Sequence, residues 1–142
     1  MDLILWRHAD AQDGADDMAR RLTPKGEKQA AAMARWLRAH LPRDYTVLAS
    51  PAVRAQQTAA ALGANIITEK TLAPGATVAE IARAVENHEG LVIVVGHQPD
   101  LGRAAAHLAG ARGEWHVDKG AVWWFAGSEP AHIKAVISPD LL

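Results

Sequence analysis

The sequence contains no cysteine, which excludes disulfide bonds and zinc sites built on thiolates. Neither sign of charge dominates, because 15 lysine and arginine residues stand against 16 aspartate and glutamate residues. This near-neutral balance gives no electrostatic reason to expect nucleic acid or an anionic membrane as a partner. No apolar run approaches the roughly 20 residues that span a bilayer, and Asp2 stands where a signal peptide carries positive charge. We therefore expect a soluble protein of the cytoplasm.

Length and composition are those of one folded domain. The chain has 142 residues, of which 49% are apolar and 22% charged. We predict a single domain over residues 1–142, without internal repeats or linkers. The oligomeric state stays open, with a monomer favoured.

Apolar runs alternate with segments of helical periodicity along the whole chain. The predicted strands cover residues 2–6, 45–50, 65–68, 91–95, 121–125 and 132–137. The predicted helices run over 24–41, 51–62, 78–87 or 88, and 99–108. Thr23-Pro24 and Ser50-Pro51 have the cap-then-proline pattern of a helix start, and Thr77 with Glu80 forms a capping box. The alternation predicts a three-layer α/β/α sandwich with a mostly parallel central sheet, with a loop over 9–22.

Three polar residues follow three of the predicted strands directly. His8 comes after the first strand, Ser50 after the second and His97 after the fourth. Ligands of such sheets bind outside the carboxyl ends of the strands. We therefore expect these residues to meet at one edge of the sheet.

Two histidines and two arginines near that edge have the chemistry of a phosphoryl-transfer site. A histidine with one unprotonated ring nitrogen can attack phosphorus, a role that suits His8. Arg7 and Arg54 can neutralise the phosphoryl oxygens with their planar, permanently charged guanidinium groups. Arg54 also lies near a predicted helix N-terminus, which favours anions. His97 can donate a further hydrogen bond.

The same segments resemble a known family. LILWRHAD resembles the R-H-G signature of the histidine phosphatase superfamily, whose branch 1 includes the phosphoglycerate mutases. SPAVRAQQTA is similar to its S-P-x-x-R-A-x-Q-T motif and VVGHQP to its second-histidine motif, so the resemblance spans residues 3–102. The short chain and RRLTPKGEKQA look most like the phosphohistidine phosphatases of the SixA branch.

The resemblance implies a phosphoglycerate mutase-like fold, a site and a reaction. His8 would become phosphorylated transiently, while Arg7, Arg54 and His97 would line the phosphate pocket. Arg20, three residues before the threonine that opens the first helix, would be a further phosphate contact. No metal or other cofactor is implied. The substrate would be a phosphohistidine in a protein or a smaller phosphorylated molecule.

Two departures from the family pattern bear on the leaving group. Ala9 replaces the glycine that usually follows the histidine. The mutase-like members also carry a glutamate proton donor after the third strand, where KTLAPGATVAE offers only Glu80, already used in the capping box. An acid would then be absent or supplied by Asp10, Asp16 or Asp17. A weak proton donor favours a phosphohistidine, whose leaving nitrogen can be protonated beforehand.

Three other functions are compatible with the same residues. A metallohydrolase could use His8, Asp10, His97 and loop carboxylates, although these lack the helical spacing of known metal motifs. A non-catalytic module could bind phosphorylated proteins through the arginines. A small-molecule phosphomonoesterase of the same fold is the third, and mutase activity is disfavoured because the chain is short for a second phosphate pocket.

Overall fold

A six-stranded sheet forms the centre of residues 2–142, the part of the chain that this computed structural model describes. Its strands are β1 (Asp2–Arg7), β2 (Tyr45–Ala49), β3 (Ile66–Thr68), β4 (Leu91–Gly96), β5 (Val122–Ala126) and β6 (His132–Ile137). The strand order is β3-β2-β4-β1-β5-β6. The first four of these are parallel, whereas β5 pairs antiparallel with both β1 and β6. The predicted mostly parallel α/β architecture is confirmed.

Helices cover both faces of the sheet. They are α1 (Pro24–His40), α2 (Val53–Ala60), α3 (Val78–Glu86) and α4 (Asp100–Leu108). Leu3 and Leu5 of β1 pack in the core beside α3 and α4, while Ile4 and Trp6 pack in the core beside α1 and α2. Continuous apolar runs such as those of β1 and β4 are therefore explained, because both faces of these strands are buried. Within residues 2–142, no helix combines the length and apolar character needed to cross a membrane.

Two of the three predicted capping patterns are confirmed. Thr23 Oγ1 accepts a hydrogen bond from Gly26 N at 3.0 Å, with Pro24 at the first helical position. Thr77 and Glu80 make both reciprocal bonds of a capping box, each at 3.1 Å. These bonds satisfy amide groups that the first helical turn leaves free.

The start predicted at Ser50-Pro51 is wrong. Helix α2 begins at Val53, and Ala52 occupies the cap position without a side-chain bond to the helix. Ser50 Oγ instead accepts from Ala52 N at 3.2 Å, within a bend that precedes the helix. Its hydroxyl is thereby left to face β4 rather than to cap α2.

The loop predicted over 9–22 follows β1 and is tied to α1. It contains one turn of 3₁₀ helix at Asp17–Ala19 and an isolated bridge between Ala11 and Leu22. Thr23 N donates to the Asp10 carbonyl at 3.0 Å, so the loop closes onto the start of α1. Gly26 lies directly beneath Asp10, and a Cβ at Gly26 would overlap the Asp10 carbonyl oxygen.

We expect Gly26→Ala to lower the free energy of unfolding by about 1–3 kcal/mol, because backbone has to move to accommodate the methyl group. The effect can be measured by urea denaturation. Gly14→Ala is the matched control in the same loop, since its Cβ would meet only Arg20 Cγ at an ordinary 3.5 Å. The control should change stability by less than about 0.5 kcal/mol. Equal stabilities for the two variants would contradict the close approach at Gly26.

Candidate active site

The carboxyl ends of three adjacent parallel strands bring His8, Ser50 and His97 together. Arg7 pairs with Gly96 in the β1–β4 register, so the two histidines that follow lie side by side. Ala49 pairs with Val95 in the β2–β4 register, which places Ser50 beside the end of β4. The His8 and His97 rings have centroids 5.2 Å apart.

His8 is held with one ring nitrogen free. Its side chain is 8% exposed, and its Nδ1 lies 2.8 Å from the Ala9 carbonyl oxygen. A carbonyl only accepts, so Nδ1 carries the proton and Nε2 keeps its lone pair. Burial lowers the pKa of His8 to about 4, and the positive charges of Arg54, Arg7 and Arg20 add to this effect. At neutral pH the ring is uncharged and Nε2 can act as a nucleophile.

Arg54 is the cation nearest to that nucleophile. It lies in the first turn of α2, is 4% exposed, and directs its Nε at His8 Nε2 across 3.4 Å. Its position is fixed through Thr58, whose hydroxyl donates to the Arg54 carbonyl at 2.8 Å and accepts from Ala9 N at 3.0 Å. The loop after His8 and the start of α2 are thereby joined.

Arg7 and Arg20 add further positive charge near His8. Arg7 Nη1 donates to the Val117 carbonyl at 2.9 Å, while its buried Nε has no partner within residues 2–142. Arg20 Nε donates to the Gln12 carbonyl at 2.7 Å and Nη1 contacts Asp17 Oδ1 at 3.1 Å. Fixed cations of this kind stabilise the charge that a transferred phosphoryl group carries.

Ser50 controls the hydrogen-bonding state of His97. Ser50 Oγ lies 2.7 Å from His97 Nε2 and accepts from Ala52 N, and its hydroxyl hydrogen can be donated to His97 Nε2. Burial lowers the pKa of His97 to about 3, with neighbouring His8 and Arg54 contributing, so the ring is neutral at pH 7. When Ser50 donates to Nε2, the ring proton lies on Nδ1, a buried atom without a partner among the described residues. His97 is thus prepared to donate to an anionic oxygen beside His8.

The sequence placed Ser50 at the same sheet edge as His8 and His97, but it predicted a helix cap for the Ser50 hydroxyl and not the bond to His97. The signal that could have found its partner is its position at the end of β2, next to the strand that ends at His97.

The alanine at position 9, where the family usually has glycine, causes no backbone strain. No non-glycine residue of the described chain has a positive φ, and Ala9 packs against Leu22 and Ala30 in a small apolar cluster.

Asp10 and Asp17, two of the three predicted acid candidates, are held in their ionised form. Hydrogen bonds from Thr23 Oγ1 at 2.7 Å and Lys119 Nζ at 2.9 Å hold the pKa of Asp10 below its usual value. Contacts with Arg20 and then Arg54 do the same for the pKa of Asp17. Both carboxylates are charged at neutral pH in this arrangement and hold no proton for a leaving group. Asp16 makes no side-chain bond to the turn that it precedes.

The structure also bears on the hypothesis of a metal site. Asp10 turns to Thr23 and Lys119 rather than to the histidines. Within residues 2–142, no group of three or more histidine, aspartate or glutamate side chains is placed to hold a metal ion.

We expect Ser50→Ala to reduce kcat for an aryl phosphate by about tenfold, less than the roughly 100-fold loss typical of removing an oxyanion donor outright. The variant leaves His97 free to place its proton on either nitrogen. Ser128→Ala, at an exposed turn position, is the control and should retain full activity. An unchanged kcat in Ser50→Ala would show that the 2.7 Å contact has no catalytic consequence.

We also expect neither His8 nor His97 to titrate between pH 5 and 8, since burial lowers their pKa values to about 4 and about 3. Ring-proton NMR over this range would detect protonation directly. Because an unfolded histidine takes up its proton near pH 6.5, the free energy of unfolding should fall as pH drops from about 6.5 toward 4. An NMR inflection between pH 6 and 7 for either ring would contradict the assignment.

Comparisons with known proteins find relatives by sequence and by structure. An uncharacterized protein of Mycobacterium tuberculosis is 39% identical over 114 residues, covering 75% of this chain and 72% of that protein. The phosphohistidine phosphatase SixA of Escherichia coli strain K12 is 33% identical over 120 residues, covering 76% of this chain and 74% of SixA. A structure of the protein histidine phosphatase SixA complexed with tungstate superposes with a TM-score of 0.86 at 26% identity, covering 99% of both chains.

These relatives support phosphatase activity for the chain. The model of the histidine phosphatase superfamily (branch 1) matches residues 3–75, which contain the first histidine, Ser50 and Arg54. Together with the sequence relatives, this match shows that the chain belongs to branch 1 of the histidine phosphatase superfamily.

Proposed function

We propose that the protein is a metal-independent phosphatase that hydrolyses a phosphohistidine, or a related phosphomonoester, through a covalent intermediate on His8. The observation that carries this proposal is the unprotonated His8 Nε2 directed at the buried guanidinium of Arg54, 3.4 Å away. A candidate nucleophile and a fixed cation thus lie within contact distance of each other. Their proximity supports phosphoryl transfer, in which a nucleophile attacks phosphorus and cations stabilise the charge of the phosphoryl oxygens.

The reaction has two steps. In the first, His8 Nε2 forms a bond to phosphorus while the bond from phosphorus to the substrate nitrogen or oxygen breaks. Arg54, Arg7 and Arg20 face the phosphoryl oxygens, and His97 Nδ1–H donates to one of them. In the second, a water oxygen attacks phosphorus, the bond to His8 Nε2 breaks, and inorganic phosphate leaves with the proton balance made up by solvent.

The state of the carboxylates favours a nitrogen leaving group. Asp10 and Asp17 are both engaged as ionised partners of cations, so neither offers a proton at pH 7. An alkoxide leaving from an ester needs such a proton, whereas an imidazole can be protonated before the bond to phosphorus breaks. A phosphohistidine carried by a protein is therefore our preferred substrate, ahead of a small phosphomonoester.

His8→Ala should lower turnover of a phosphohistidine peptide by on the order of 10³-fold or more, because the nucleophile is removed. During turnover the native protein should carry acid-labile, base-stable phosphate on His8, detectable by mass spectrometry. His107→Ala, at an exposed position on α4, is the matched control and should remain active.

Three results would redirect the proposal. Turnover that survives His8→Ala would overturn the covalent mechanism. Loss of activity in strong chelator would support the metallohydrolase instead. Binding of the phosphopeptide without phosphate release by the native protein would favour a binding module.

A further inference from the structure

The loop between β1 and α1 brings a carboxylate into the candidate phosphate pocket. Asp17 Oδ2 lies 3.2 Å from Arg54 Nη2, and the Asp17 carbonyl oxygen accepts from Arg54 Nη1 at 2.6 Å. Asp17 Oδ1 lies 3.1 Å from Arg20 Nη1. One residue therefore bridges two of the arginines that surround His8.

The contacts engage all three nitrogens of the Arg54 guanidinium. Its Nε faces His8 Nε2, and both terminal nitrogens are bonded to Asp17. A phosphoryl group on His8 Nε2 would need donors from this same guanidinium, because Arg54 is the cation in contact with that nitrogen. Asp17 holds the two terminal nitrogens of Arg54 through one carboxylate oxygen and its main-chain carbonyl, and a phosphoryl group would bind the same nitrogens through a pair of its oxygens.

We propose that Asp17 is an internal competitor of the substrate, occupying the anion-binding groups of Arg54 and Arg20 until a phosphoryl group displaces it. This inference rests on the proposed function, since it concerns the same pocket. It assigns Asp17 a role in substrate affinity in place of the acid role that the sequence left open.

The two partners differ in how firmly they are held. The Asp17 side chain is 55% exposed, and none of the three residues in its 3₁₀ turn is buried. The Arg54 side chain is only 5% exposed and is anchored through the helix. An ion pair with one exposed partner is weak, so the carboxylate can leave while the guanidinium stays in place. A doubly charged phosphoryl group interacts more strongly with the same cations.

The charge of Asp17 also reaches the rest of the pocket. It acts on His97 in the direction that raises its pKa, opposite to the larger effects of burial, His8 and Arg54. The carboxylate thus acts electrostatically on His97, the residue that we propose donates a hydrogen bond to a phosphoryl oxygen. A role in which Asp17 merely aligns Arg54 for the substrate is the alternative, and it predicts the opposite sign on substitution.

The test is calorimetric titration with tungstate, an oxyanion that needs no turnover to bind. Asp17→Asn keeps the side-chain size and removes the charge, and we expect it to bind tungstate roughly threefold to tenfold more tightly than the native protein. Inhibition by inorganic phosphate should tighten by the same factor. Asp17→Ala should behave likewise, because the charge and not the shape is responsible. Asp13→Asn makes the same charge change at another exposed position in the loop and should stay within about twofold of native.

Each outcome has a distinct meaning. Weaker tungstate binding by Asp17→Asn would assign Asp17 an aligning role and overturn the inference, as would unchanged binding. Equal tightening by Asp13→Asn would reduce the effect to general loop charge and also overturn it. If the native protein binds no tungstate, the anion pocket itself fails, and with it the proposed function. If the native protein binds tungstate and Asp17→Asn binds it no more tightly, the role of Asp17 is refuted and the proposed function is not.

Discussion

The parallel pairing of β4 with β1 and β2 is the constraint on which the site depends. All three strands end at one edge, and their registers place His8, His97 and Ser50 in direct succession across it. A slip of one residue would turn every side chain to the opposite face of the sheet. The close packing of both faces opposes that slip, because exchanging the faces would disrupt the fit of differently shaped side chains such as Leu5 and Trp6. The same packing that stabilises the fold therefore sets the geometry of the reaction.

Burial and positive charge act together on the two histidines. Both factors disfavour a protonated ring, so the pKa values of His8 and His97 lie far below the ordinary value for histidine. Hydrogen bonds then decide which nitrogen keeps the remaining proton. The Ala9 carbonyl holds it on Nδ1 of His8, and the Ser50 hydroxyl favours Nδ1 of His97. The two histidines therefore differ in what they offer: His8 has a lone pair on Nε2, and His97 has an N–H donor on Nδ1.

The carboxylates near this centre act as partners of cations. Asp10 accepts hydrogen bonds from Thr23 and Lys119, and Asp17 accepts them from Arg20 and Arg54. These bonds lower the pKa of both carboxyl groups and keep them charged. This state of the carboxylates is the basis for the proposed phosphohistidine substrate, whose leaving nitrogen can be protonated beforehand. Under the role proposed for Asp17, the affinity of the pocket for a phosphoryl group reflects a competition between two anions for Arg54.

Local patterns in the sequence were sufficient for the architecture and for the residues at the strand ends. Apolar runs identified the strands, and Thr23 and the Thr77–Glu80 pair marked two helix starts, because these signals act over a few neighbouring residues. The histidines and arginines followed from motif and position. Contacts between distant segments were decided only in the folded chain. Ser50 contacts His97, 47 positions away in the sequence, and Asp17 contacts Arg54, 37 positions away. The Val117 carbonyl accepts a hydrogen bond from Arg7, 110 positions away. A hydroxyl or a carboxylate can form hydrogen bonds with many groups of the chain. Only the tertiary packing of strands and loops determines which of these groups lies close enough to bind.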